Sequence, residues 1–362
     1  MSKHQREMIK YVLEREWEPI VILLGLIATL LVAPLSVPLL ALNVLMVLLL
    51  GYKLYRTTRQ ARRLLQLKHL PVIVLVGKGE DVAHAMWQDI QRVMSRWGFD
   101  AELYRREFDV EREDLFLHRE EPLPTDSEPW IKLAREFRRK IERLGGRLPG
   151  RRIFHVFING PISLAAGLGA SLGTMYEVVV HHWFPATTEA PYHPVVDFYT
   201  SSKTNRRGMH LLEDAVTGEF RYVQSETERG DANATLYMSV WMARDDPRTA
   251  VNSMAQEARA AGQSVEVFHI LQKEPRSLET TDDWILCARE ILTLFYQQAG
   301  KNRPRICLFL SAPIALTFTL GMGIEHFLPV TVYNWWGQER RYYPVLPLDQ
   351  LGRTAGEIRH VG

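Results

Sequence analysis

The chain writes one phrase twice. "NGPISLAAGLG" runs from Asn159 to Gly169, and "SAPIALTFTLG" runs from Ser311 to Gly321. Each copy has Pro at its third position and Gly eight residues after that Pro. The flanks repeat as well. Trp183 closes "VVVHHW" fourteen residues after Gly169, and Trp335 closes "VTVYNW" fourteen after Gly321. "YHPV" from Tyr192 answers "YYPV" from Tyr342, and "WIKLARE" from Trp130 answers "WILCARE" from Trp284 with five of seven residues identical. Further upstream "GFDAELY" from Gly98 lines up with "GQSVEVF" from Gly262. Matches in fixed order at nearly constant offset mark an internal duplication. Two copies are too few for a solenoid, so two similar halves must pack against each other.

One copy predicts a small α/β unit. "PVIVLVG" at Pro71 is a short Val-rich apolar run, the pattern of a strand buried on both faces. Val82, Met86, Ile90, Val93 and Trp97 recur at helical spacing, and Gly98 follows as a C-terminal cap. "AELY" is expected as a second strand. Asp126 or Ser127 then caps a helix with Pro129 in its first turn and an apolar stripe of Trp130, Leu133, Ala134, Phe137, Ile141 and Leu144. "RIFHVFI" predicts a strand, the Pro161 segment a helix, and "YEVVVHH" another strand. Alternation of this kind gives a mostly parallel sheet, whose ligands lie beyond the carboxyl ends of its strands.

Residues 1–69 are a different object. No charged residue occurs from Pro19 to Gly51. One helix of that length would span about 50 Å, against about 30 Å of hydrocarbon. Pro34 and Pro38 disfavour a straight helix, so two short spans joined by the turn "APLSVP" are expected, with one tilted span as the alternative. Lys53, Arg56, Arg59, Arg62, Arg63 and Lys68 follow without an acid, and Lys3, Arg6, Lys10 and Arg15 precede. The positive-inside rule puts both flanks in the cytoplasm. Asn43 is either an interhelical hydrogen-bonding residue or merely tolerated near a span end. The expected segments are 1–18 as a cytoplasmic N-terminus, 19–51 as a transmembrane hairpin, 52–69 as a basic linker and 70–362 as the duplicated domain. Within that domain, repeat one covers 70–199, a connector 200–233 and repeat two 234–350.

Of 44 basic and 42 acidic residues, 10 and 4 lie in residues 1–69, leaving 34 and 38. This mildly acidic remainder speaks against an open surface for long nucleic acid. Cys287 and Cys307 show no metal spacing and read as buried thiols in a reducing compartment. There is no P-loop and no H-E-x-x-H motif. "GLGASLG" at Gly167 does not directly follow a strand, and its glycines suit close packing better than a dinucleotide. The formal G-x-S-x-G around Ser171 falls inside a predicted helix, where a nucleophile elbow cannot form. His181 and His182 are adjacent on a strand, point to opposite faces and make a poor metal pair. No catalytic residue, metal site or cofactor is assigned, and the chain is expected not to be an enzyme.

The repeated strand ends do form a candidate binding mouth. Lys78 and Arg244 follow the first strands of the two copies. Asn159 with Pro161, and Ser311 with Pro313, sit at the central strand ends. A Pro at a helix start leaves free backbone N–H groups that suit a phosphate or a base edge. Trp183, Tyr333, Trp335 and Trp336 offer stacking faces, although the repeated pair Trp183 and Trp335 also suits core caps. Lys203, Arg206 and Arg207 read as a solvated loop cluster.

The repeated "PISLAAGLG…VVVHHW…YHPV" and "PIALTFTLG…VTVYNW…YYPV" resemble the SAVED domain, a fused pair of CARF-like Rossmann-type units, over about residues 70–350. Behind a membrane hairpin, such a domain looks like the transmembrane effectors of CBASS anti-phage systems; SAVED sensors also occur in type III CRISPR signalling. The resemblance implies an α/β fold and binding of a cyclic oligonucleotide, a cyclic tri- or tetranucleotide, made by a partner cyclase. It also implies ligand-induced, head-to-tail homo-oligomers. The combined expectation is an antiviral effector in the bacterial inner membrane, with two spans and a cytoplasmic SAVED domain, that disrupts the lipid bilayer. The alternatives are a membrane-anchored hydrolase of the cyclic nucleotide and a ligand-controlled membrane tether. Residues 105–126 and 200–233 have no counterpart in the other copy.

Overall fold

A computed structural model describes residues 3–32, 37–66, 69–148, 152–185, 191–198, 220–228, 234–274, 276–300 and 305–352. The chain divides into two units, Met1–Lys68 with residues 146–152, and the remainder.

In the first unit, α1 (Lys3–Val32) and α2 (Val37–Gln66) pair as a hairpin. Pro19 lies inside α1 and cannot donate to the carbonyl four residues back. Glu16, just upstream, leaves the helical region at φ −125°, ψ 27° and kinks the helix. The buried Glu16 carboxylate meets the Lys53 ammonium at 3.1 Å and accepts from Thr57 Oγ1 at 3.1 Å, clamping the two helices together. Trp17, Leu24, Leu48 and Tyr52 are exposed.

The expected membrane spans are corrected here. Among the described residues, no helix is long and apolar enough to cross a membrane. The reason lies in where the charges fall. The charge-free part of α1 begins only at Pro19, and that of α2 ends at Tyr52. These stretches extend about 21 Å and about 24 Å, short of about 30 Å of hydrocarbon. The inner-membrane placement with two spans falls with this finding. The centre of the "APLSVP" turn lies outside the described residues, as does the Lys203, Arg206 and Arg207 cluster.

The second unit holds the duplication as two sheets. Repeat one contains β1 (His69–Val76), α3 (Glu80–Ser95), α4 (Ala101–Phe108), α5 (Arg112–Leu115), β2 (Phe116–Arg119), α6 (Ser127–Arg147), β3 (Ile153–Asn159), α7 (Ile162–Leu172), β4 (Val178–Trp183) and β5 (Tyr192–Asp197). Its strand order is β2-β1-β3-β4-β5, parallel except for β5. Repeat two contains β6 (Val223–Glu228), β7 (Thr235–Trp241), α8 (Arg248–Ala260), β8 (Val265–Gln272), α9 (Trp284–Ala299), β9 (Ile306–Ser311), α10 (Ile314–Ile324), β10 (Val330–Trp336) and β11 (Arg341–Pro347). Its order is β11-β10-β9-β7-β8-β6, with antiparallel strands only at its two edges. Even the irregularities match: the register shifts between Val180 and His181 in β4 and between Val332 and Tyr333 in β10.

The expected strand "AELY" is instead the start of α4. Asp100 caps it, its Oδ1 accepting from the amides of Glu102 and Leu103 at 3.0 and 3.2 Å, and Tyr104 turns into the core. A local cap outweighed the weak strand pattern. The counterpart of β8 in repeat one is β2, which pairs with β1 as β8 pairs with β7 and lies inside the stretch that seemed to lack a counterpart. The segment peculiar to repeat one is thus α4 with α5, and β6 is an added edge strand of repeat two. The α6 stripe is buried from Trp130 to Leu144 as its spacing predicts.

The halves meet where α7 crosses α10, and the repeated glycines stand at the crossing. A methyl group on Gly169 would overlap the Phe318 carbonyl oxygen and lie 2.8 Å from the Met322 amide nitrogen. A methyl on Gly321 would overlap the Ala166 carbonyl oxygen and lie 2.8 Å from its carbon. Each helix presses backbone on backbone at the other's glycine, so neither site has room for a side chain. Gly169→Ala and Gly321→Ala are therefore expected to destabilise equally, each by about 3 kcal/mol, the upper range of overpacking. Gly145→Ala, in α6 with open space around it, should gain up to about 1 kcal/mol. Urea unfolding checks both; a tolerated Gly169→Ala would mean the helices are not in contact there.

Candidate functional site

The parallel strands of both sheets deliver their carboxyl ends to loops that carry the candidate residues. In repeat one, β1 runs into Gly77, whose φ of +75° turns the chain and lets its amide donate to the Arg119 carbonyl at 2.9 Å. Lys78 follows, exposed, with its carbonyl 2.8 Å from His118 Nε2. β3 ends at Asn159, and Pro161 caps α7 at φ −61°, ψ 140°. The Pro161 carbonyl accepts from the amides of Leu164 and Ala165. The amides of Ile162 and Ser163 have no partner within the helix, as in any first turn.

Repeat two supplies the opposite wall. β10 carries Trp335 and Trp336 to its end, and Gly337 opens the turn to β11. Together these ends enclose an open cleft of about 580 Å³, within the usual size of small-ligand sites. Lys78, Asn159, Pro161, Trp335 and Trp336 all line it. Trp336 lies 6.3 Å from Trp130 and 5.8 Å from Tyr343, ring centre to centre, and so is held from two sides. Trp335 leans on Tyr342 at 5.0 Å and stays 43% exposed. Ser163 Oγ donates to the Tyr333 carbonyl at 2.9 Å, fixing the start of α7 against β10.

The other five candidates lie elsewhere. Arg244, Ser311 and Pro313 occupy the matching strand ends of repeat two, and Trp183 of repeat one holds the place of Trp335. Arg244 is exposed. Ser311 is buried, and its Oγ donates to the Asp245 carbonyl at 2.5 Å, so the hydroxyl serves the loop. Pro313 caps α10 as Pro161 caps α7. Trp183 is half exposed. Tyr333 is not at the mouth: it points into the core, 3.5 Å from the Cys307 thiol and against Phe309 at 4.6 Å. Burial pushes its hydroxyl pKa up. Sequence reasoning missed Trp130 as a lining residue, because the helical stripe already accounted for it. It is buried, donates from Nε1 to the Pro124 carbonyl at 2.7 Å, and still forms part of the cleft.

Other constellations resolve into structure. Ser171 is buried with its Oγ on the Leu168 carbonyl at 2.8 Å. Cys287 and Cys307 are buried free thiols, and burial raises the pKa of both. Glu80, His118 and Glu120 bring ligand atoms within 4.8 Å of one another. However, the Glu80 carboxylate at 3.1 Å and the Lys78 carbonyl already engage the two His118 nitrogens. That group braces the end of β2.

Residues 125–198 and 212–348 match the model of the SAVED family, described as the SMODS-associated and fused to various effectors sensor domain. The chain belongs to this family. No curated protein matches it. Among solved structures, the Acinetobacter baumannii Cap4 SAVED/CARF-domain containing receptor with the cyclic trinucleotide 3'3'3'-cAAA is similar at 12% identity and a TM-score of 0.49, over 89% of this chain and 64% of that one. The same receptor with 2'3'3'-cAAA gives 12% and 0.49, over 89% and 63%. The Moraxella osloensis Cap4 receptor gives 13% and 0.37, over 62% and 43%. The chain thus spans less than two thirds of the length of these receptors.

The cross-repeat bond at the mouth makes a measurable claim. Ser163→Ala removes it, so stability should fall by about 1 kcal/mol. A thermal melt of the variant checks this; an unchanged midpoint would show that the bond contributes nothing.

Proposed function

We propose that this protein is a sensor that binds a cyclic oligonucleotide in the cleft between the strand ends of repeat one and the Trp335–Trp336 corner of repeat two. One observation carries the proposal. A single mouth brings together an exposed cation at Lys78, free backbone donors at the start of α7, and two indoles from the opposite repeat. These are the groups that phosphates and bases require. Membership in a sensor family supports the same reading. The ligand is a cyclic tri- or tetranucleotide produced by a partner cyclase as an anti-phage signal, and it is bound without turnover. Both repeats line the cleft, so binding biases their arrangement and favours head-to-tail association of copies, a heterologous contact that builds rings or filaments.

Calorimetry with a panel of cyclic di-, tri- and tetranucleotides, both cAAA isomers included, tests the proposal. Lys78→Ala should weaken binding roughly ten- to a hundredfold, the worth of a charge-assisted phosphate contact of about 1.5–3 kcal/mol. Trp335→Ala should cost about 1–3 kcal/mol for each base stacked on it. Chromatography of the recovered ligand and light scattering complete the test: intact ligand and larger assemblies are expected. Cleaved ligand would make the protein a hydrolase. Unchanged affinity in both variants would move the site elsewhere.

A further inference from the structure

Three imidazoles form a continuous chain through repeat one. His69 Nδ1 lies 2.8 Å from His155 Nε2, and His155 Nδ1 lies 2.8 Å from His181 Nε2. The chain climbs the sheet diagonally, from the first residue of β1 through β3 to β4, where His181 follows the register shift. Trp97 covers it, 4.9 Å from the His69 ring and 4.8 Å from that of His155, and Phe157 stacks on His181 at 4.2 Å. His155 and His181 are buried.

The chain has no room for an added proton. His155 spends both ring nitrogens on histidines, and His181 Nδ1 has no partner at all. A buried bare lone pair costs less than a buried orphan N–H. His181 therefore donates from Nε2 to His155, and His155 donates from Nε2 to His69. A further proton on His155 or His181 makes an imidazolium among apolar groups, with no carboxylate on either ring nitrogen of those two residues. The titratable groups around the chain do not change this. They include His193 and Tyr192 of β5, Tyr104 of α4, whose hydroxyl donates to the His69 carbonyl, and Asp89 of α3, which is paired with Arg92. His182 points to the other face, against Trp284. Burial first, then the neighbouring histidines, hold His155 down at about 2; burial and then His193 hold His181 at about 3.

Repeat two solves the same position differently. Cys307 stands six residues before Pro313, as His155 does before Pro161, and Tyr333 stands two before Trp335, as His181 does before Trp183. Thr235 opens β7 as His69 opens β1. At these positions the second repeat thus carries Thr, Cys and Tyr, whose side chains gain no proton between pH 5 and 8. We propose that the His69–His155–His181 chain makes repeat one an acid-sensitive latch: below about pH 6 its cover opens so that the imidazoles can take protons, while the matching β7, β9 and β10 positions of repeat two, which hold no histidine, stay closed.

The sign follows from linkage. A histidine whose folded pKa lies below its unfolded value of about 6.5 stabilises the closed form above pH 6.5, and this is lost as pH falls. Two such groups change the opening equilibrium about a hundredfold between pH 7.5 and 5.5. Hydrogen exchange read by mass spectrometry, corrected for intrinsic rates, should show that loss of protection in β1, β3 and β4 and not in β9 and β10. The double variant H155C/H181Y installs the residues of repeat two and should abolish the acid step. Should that variant not fold, the histidine proton resonances of the native chain decide instead. Those of His155 and His181 should stay in the neutral position for as long as repeat one is closed. Parallel loss of protection in both repeats, or titration of His155 and His181 near pH 6.5 in the closed protein, would overturn the proposal.

Discussion

The backbone contact between α7 and α10 governs the rest of the second unit. Two helices approach this closely only where both lack a side chain, and the duplication supplies that condition twice, at Gly169 and Gly321. Once the helices cross there, the strand-end loops that precede them are brought together as well. Ser163 reaches the Tyr333 carbonyl, and Trp336 reaches Trp130. The corresponding pair on the other side sets Phe184 6.4 Å from Trp284. A packing rule inside the molecule thus fixes the geometry of its mouth.

Much of this was legible in the sequence, for identifiable reasons. Strands buried on both faces write continuous Val and Ile runs, and "PVIVLV" and "RIFHVFI" became β1 and β3. The α6 stripe followed from 3.6-residue spacing. The repeated Pro and Gly marked two helix starts and one helix crossing. What failed was local chemistry that competes with pattern. "AELY" has the alternation of a strand, but Asp100 in front of it caps a helix, and the strand lay further on in "FLHR". The apolar N-terminal run has the composition of membrane spans, yet among the described residues no helix is long and apolar enough to cross a membrane.

The candidate site was half legible. Lys78, Asn159, Pro161, Trp335 and Trp336 met because strand ends and repeated loops locate a mouth. Tyr333 could not be placed by the same logic. The irregularity after Val332 decides which face a β10 side chain takes, and no residue type in that strand announces it. Trp130 was assigned to one role while holding two. His155 and His181 drew no site assignment, because their hydrogen bonds join strands far apart in sequence.

The covalent fusion of the halves has a consequence for selectivity. A symmetric homodimer presents any ligand with two equal orientations and forms only at sufficient protein concentration. Here both halves share one chain, so the α7–α10 contact persists at any dilution. The two halves are also free to diverge. Phe184 stands where the other half has Trp336, and Arg244 stands in a loop unlike that of Lys78. A ring-shaped molecule meeting such a surface has one preferred way round. On the proposed reading, the two edges of a cyclic oligonucleotide would therefore meet different side chains.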